Sequence, residues 1–150
     1  MKLLKLLPLL SLALTFSCST TDNDPESPES PQTTTPTLNV KWILEKWNYN
    51  SVNQNLTSCK KQSFILFNSN GTFERKDYIL INSNCIIEDN DNGNYSYNTS
   101  NSKITLTFVD PDDGPQTEVW NNVAFDNSLL KFTWDEDNNG SDEHSLEYKK

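Results

Sequence analysis

A chain of 150 residues with 21 Asp and Glu against 12 Lys and Arg carries a formal charge of −9. That balance excludes steering toward nucleic acid or an anionic surface, and the length suits one domain with a real core rather than two. Four scattered glycines leave no phosphate-cradling loop, and His144, the only histidine, is the sole base open to a Ser-His or Cys-His nucleophile.

Taken from the start, Lys2 and Lys5 make a short positive region, and Leu6 to Phe16 is apolar apart from Pro8, Ser11 and Thr15. Eleven residues match the core of a signal peptide and are too short to span a bilayer as a helix. Cys18 follows directly, after Thr15-Phe16-Ser17. A cysteine there resembles the bacterial lipoprotein signal, although Thr15 stands where that signal usually has Leu. The resemblance implies cleavage of residues 1–17 and a diacylglycerol on the Cys18 sulfur, anchoring the chain in the cell envelope, at the outer membrane. Two or three acyl chains hold firmly, at ~0.8 kcal/mol per buried methylene. Loss of residues 1–17 takes two lysines, leaving 10 basic residues against 21 acidic, a net −11.

Residues 18–37 contain Ser, Thr, Pro and acid with nothing apolar to bury beyond Cys18. They read as a disordered tether, whose early acids Asp22, Asp24 and Glu26 resemble an export signal of surface lipoproteins in Bacteroidota. With Cys18 acylated, Cys59 and Cys85 remain as an even pair in an oxidising compartment, where a disulfide is expected. Closing that 27-residue loop is worth roughly 3–4 kcal/mol in the chain-entropy picture.

From Leu38 to Lys150 the period is two. Eight strands are predicted, at 41–48, 62–68, 72–81, 92–98, 103–109, 117–125, 128–134 and 144–149, separated by polar links. Asn70-Gly71 between apolar runs marks a hairpin, since both residues tolerate positive φ. Ile104, Leu106 and Phe108 share one face; so do Leu130, Phe132 and Trp134. A meander of short antiparallel strands hides its edges by closing, so the expected fold is all-β, an eight-stranded up-and-down antiparallel β-barrel. Eight strands leave an interior that side chains fill or that holds one small ligand. Trp42, Phe64, Leu66, Tyr95, Leu106, Phe132 and Trp134 are the expected inward, ligand-touching positions.

Four segments carry a family resemblance: "LNVKWILEK" (38–46), "TSCKKQSFILFNSNGTF" (57–73), "GNYSYNTSNSKITLTF" (93–108) and "FDNSLLKFTW" (125–134). In that order they resemble the lipocalin-like domain of many Bacteroidota lipoproteins. The resemblance implies an eight-stranded barrel with a pocket for a small hydrophobic ligand; with no nucleophile constellation and no phosphate loop in the sequence, neither catalysis nor a cofactor is expected. Trp42 aligns with the family's Gly-x-Trp, whose Gly is Val40 here, and closes the barrel bottom; Trp47 falls on the opposite parity. The alternative is a filled barrel acting as an accessory lipoprotein with an envelope protein partner.

Three acidic turns bear on calcium binding. "DEDNNG" (135–140) has the first half of a calcium loop, but its twelfth place is Leu146. "EDNDNG" (88–93) and "DPDDG" (110–114) match less well, and all three read as turn formers, with no metal expected. Asp77 and Glu118 are the strand carboxylates an enzyme reading would need, without a pairing to support it. His144 reads as part of a solvated turn.

Overall fold

Period-two alternation needs a partner on each edge of every strand, and the chain supplies it by closing on itself. In a computed structural model that describes residues 35–150, the strands are β1 (Lys41–Tyr49), β2 (Val52–Asn53), β3 (Phe64–Phe67), β4 (Thr72–Ile81), β5 (Asn84–Asn98), β6 (Lys103–Asp110), β7 (Gly114–Phe125), β8 (Leu129–Trp134) and β9 (His144–Lys149). The expected signal segment 1–17, Cys18 and the tether as far as residue 34 lie outside the described residues. Each strand pairs antiparallel with the next, β1 pairs with β3 past the short β2, and β1 also pairs with β9, which closes an eight-stranded barrel.

The strands match their expected positions except around residues 84–91. This stretch, taken as a link, is the first half of the 15-residue β5. Asn82 and Ser83 adopt φ of 49° and 67°, making the two-residue turn whose twist suits a hairpin, and Ile81 pairs with Asn84 across it. The Asn68–Gly71 turn forms as expected, with Gly71 at φ 83° and the Asn68 amide donating to the Thr72 carbonyl.

β3 corrects the inward assignment. Ile65 and Phe67 are buried at 0% and 1% exposure, whereas Phe64 and Leu66 are only half-buried on the other face. The run Phe64-Ile65-Leu66-Phe67 has no alternation to fix its face. Lys41 Nζ, 3.6 Å from the Phe64 ring centre, covers the outer side.

Up-and-down connectivity sends alternate turns to opposite ends. At the end holding Leu38 and the turn at 68–71, the interior is packed solid by Trp42, Ile65, Phe67, Phe73, Ile104, Leu106 and Leu130. Trp42 is fully buried and its indole N–H donates to the Leu38 carbonyl at 3.0 Å. Gly93 lets β5 approach β6 there: a Cβ would sit 2.0 Å from the Thr107 carbonyl oxygen.

The Cys59–Cys85 disulfide forms. It ties the β4–β5 hairpin to the short 3-10 turn Lys60–Gln62 at the opposite end.

Candidate functional site

That opposite end is not filled. A cavity of about 340 Å³ opens there, and its two sides differ in chemistry. One side is rings: Trp47, Trp120, Phe132, Trp134, His144 and Tyr148, with Leu44 and Leu146 between them. Trp120 stacks on Phe132 at 3.6 Å between centroids and Phe132 on Tyr148 at 5.8 Å; this stack is the floor. The other side is charge: Lys60, Arg75, Asp77, Glu88, Asp89, Glu118 and Glu136.

Inherited parity explains much of the charged side. Phe73 points into the core, so Arg75 and Asp77, two and four residues on, point in as well. Arg75 Nε and Nη2 donate to Asp91 Oδ2 at 2.9 and 2.8 Å, and Nη1 donates to both Glu118 oxygens at 3.0 and 2.8 Å. Asp91 and Glu118 are buried. Burial alone would pull Arg75 down, but the Glu118 and Asp91 charges overcome it and hold the guanidinium above its ordinary value. The Trp120 indole N–H also donates to Glu118 Oε1.

Nearer the mouth, Lys60 Nζ bridges Asp77 at 3.2 Å and Glu88 at 3.3 Å. Desolvation opposes its charge, yet the two acids raise it overall. Asp89 has no such partner: burial, then Asp77, Glu88 and Asp91, push its carboxyl up, and only Arg75 opposes them. Burial, followed by the charge of Asp77, likewise pushes the Tyr148 hydroxyl far up.

His144 is corrected from a solvated turn residue to a buried one. It opens β9 with its ring stacked against Trp134 at 4.7 Å and Trp47 at 5.8 Å. Its Nδ1 accepts the Trp47 indole N–H at 2.9 Å. That places the proton of the neutral ring on Nε2, which faces Glu136 Oε2 at 3.0 Å. Trp47 contradicts the parity expectation as well. The β1–β9 register skips Glu45 between Leu44 and Lys46, and this bulge turns Trp47 to the same interior as Leu44.

Among the expected ligand positions, Phe132 and Trp134 line the cavity. Trp42 and Leu106 are fully buried in the packed end. Tyr95 packs on the same core, its hydroxyl 2.6 Å from Asn39 Oδ1. Phe64 and Leu66 lie outside. The acids weighed for an enzyme, Asp77 and Glu118, do both face the cavity, each held by a cation.

The three acidic segments differ in structure. Asp110 accepts the backbone N–H of Asp112 and Asp113 as a turn former. Glu88–Gly93 lies within β5, not in a loop. In the 135–143 loop Asp135, Asp137 and Glu143 bring carboxylate oxygens within 4.8 Å of one another, while Asp135 accepts the N–H of Asn139 and Gly140.

A closed up-and-down barrel, packed at one end and hollow at the other, defines a class of proteins that hold small molecules inside a β-barrel. The chain belongs to the lipocalin-like domain family, whose model matches residues 38–132, well over half of its length. No curated protein sequence matches it.

Proposed function

We propose that this protein is a lipid-anchored envelope lipoprotein whose barrel binds a small hydrophobic ligand without bond making. The carrying observation is the cavity of about 340 Å³ in the open half of a lipocalin-like barrel. Its floor of stacked rings favours burying an apolar body. The non-catalytic part rests on Asp77 and Glu118: Lys60 holds one, and Arg75 and the Trp120 indole hold the other, so each is engaged by a partner of its own rather than paired with the other across a cleft. The anchor rests on the sequence at 1–18 and the polar residues behind it.

Two measurements test the reading. Titration with a neutral environment-sensitive naphthyl dye should give saturable, one-to-one uptake; no uptake overturns the binding function. Mass spectrometry of the protein made in a bacterial host with lipoprotein processing should find an acylated Cys18 at the mature N-terminus; an unmodified thiol overturns the anchor.

The packed half of the interior favours a second reading, an accessory lipoprotein that works through its outer surface. Failure of dye uptake together with an acylated Cys18 would leave that one standing.

A further inference from the structure

We infer that the ligand is an organic cation: a protonated amine carried on a compact planar apolar body, not a fatty acid or a neutral lipid. This rests on the binding reading above and narrows it.

The balance of charge at the cavity comes first. Five carboxylates line it against Lys60 and Arg75, with His144 neutral in its Trp47-bonded form. Both cations are already committed. Arg75 is saturated by Asp91 and Glu118, and Lys60 is shared by Asp77 and Glu88. No lining cation is left for a ligand carboxylate, which would be buried beside like charge. The Asp89 side chain, by contrast, makes no hydrogen bond or ion pair among the described residues and is exposed where the two hollows meet.

A second observation lies on the floor. The Tyr148 side chain is 4% exposed and lines the cavity, yet its hydroxyl has no hydrogen-bond partner among the described residues. No buried side-chain polar atom among the described residues lacks a partner, so this unpartnered hydroxyl is open to the cavity and can meet a polar group of whatever enters. The acids nearby make that group most favourably an N–H donor.

A third comes from outside the cavity. A more polar hollow of about 480 Å³ continues from it through Arg75, Asp89, Glu118, Trp134 and Glu136. It adds Asp91, Asp110, Asp113 and Asp135, so seven acids there face one arginine. Such a vestibule concentrates cations and turns anions away. Trp47 already has the Lys60 ammonium 5.9 Å from its ring centre, so the ring of Trp134, which lines both hollows, is the π surface offered to a ligand ammonium. The cavity is at the small end of the ~300–1,000 Å³ range of ligand sites, which suits one or two fused rings and not a two-chain lipid.

Three probes sharing one naphthyl body test this by calorimetry on the mature chain at pH 7: 1-naphthylmethylamine, its isostere 1-naphthylmethanol, and the anion of 1-naphthaleneacetic acid. The amine should bind at least ~10-fold tighter than the alcohol, and the acetate weakest, with the amine's advantage shrinking in high salt. Alcohol or acetate binding as tightly as the amine overturns the charge selection and leaves the binding reading intact. Binding of none overturns both. Asp89→Asn, at a rim position with no side-chain partner to lose and like charges around it, should keep or raise the melting temperature and keep the alcohol affinity while the amine-to-alcohol ratio falls by at least ~3-fold. An unchanged ratio overturns Asp89 as the anchor. Tyr148→Phe should weaken the amine; if it binds the amine as tightly as wild type, the hydroxyl has no part in recognition.

Discussion

Replacing Arg75 by Met tests whether the interior is held by charge. The Arg75 side chain is 15% exposed, Asp91 4% and Glu118 7%, so removal strands two carboxylates away from water. Four donor–acceptor contacts of 2.8–3.0 Å are lost at once, and the Trp120 N–H alone stays on Glu118. Breaking a buried pair from one side costs about 3–5 kcal/mol, mostly from uncompensated charge. In a domain of this size that lowers the melting temperature by roughly 10–20 °C. Urea unfolding at pH 7 and pH 4.5 reads the deficit, which should shrink at the lower pH because protons neutralise the stranded acids. Adding Asp91→Leu and Glu118→Leu to Arg75→Met should recover most of the loss, since an apolar replacement removes the desolvation cost along with the attraction. An Arg75→Met protein within ~1 kcal/mol of wild type at pH 7 refutes the reasoning, as does a deficit equal at both pH values.

Further outcomes follow from single features. Gly93→Ala places a Cβ 2.0 Å from the Thr107 carbonyl oxygen and 2.9 Å from Phe108 Cβ; thermal denaturation should show a loss above ~2 kcal/mol, as β5 must part from β6. Leu106→Ala empties a fully buried site in the packed end and should cost about 2–5 kcal/mol in urea, with amine-probe affinity unchanged. Replacing Cys59 and Cys85 together by Ser opens a 27-residue loop and should cost ~3 kcal/mol, while hydrogen exchange should quicken in the 78–87 hairpin. Asp126 is held below its ordinary value by the Ser128 backbone N–H, then the Ser128 hydroxyl and the Leu129 N–H. Its contribution is complete above the unfolded value near 3.8 and is lost as pH falls through the lower folded one. Denaturation from pH 5 to pH 2 should therefore decline less steeply for Asp126→Asn than for wild type.

Alternation carried the fold into view, and the site far less. Where apolar and polar residues strictly alternate, as in Ile104-Thr105-Leu106-Thr107 of β6, the face was legible. The disulfide followed from an even pair of cysteines and compartment chemistry. The run Phe64–Phe67 was ambiguous because four consecutive apolar residues satisfy either face. Residues 84–91 looked like a link because Asn, Glu and Asp are poor strand formers; pairing with β4 and the bond to Cys59 hold them extended. The charged side was in fact encoded: Phe73, Arg75 and Asp77 share parity, as do Glu118 and Trp120. Asp77 and Glu118 could be read as inward carboxylates, but nothing in the sequence supplied their partners, since Arg75 is read as solvent-facing until its contact with Glu118 is known.

What period-two reading could not supply is set by two bulges. At Glu45 the register against β9 slips, so Leu44 and Trp47, three apart, face one interior. Between Asp77 and Tyr78 the β4–β5 register slips at Glu88, so consecutive Glu88 and Asp89 both reach the cavity. A regular strand shows only one of any two neighbours to a given face. Without the first bulge Trp47 would point outward and His144 Nδ1 would lose its donor; without the second the cavity would lose one of its acids. Both irregularities lie toward the open half, beyond the last fully packed layer, where a bend costs no core contact and can re-aim a side chain. A third slip, between Asn121 and Ala124 of β7, lies toward the packed end and only brings Val123, three on from Trp120, into the core; the two slips in the open half are what make that half a chemically distinct chamber.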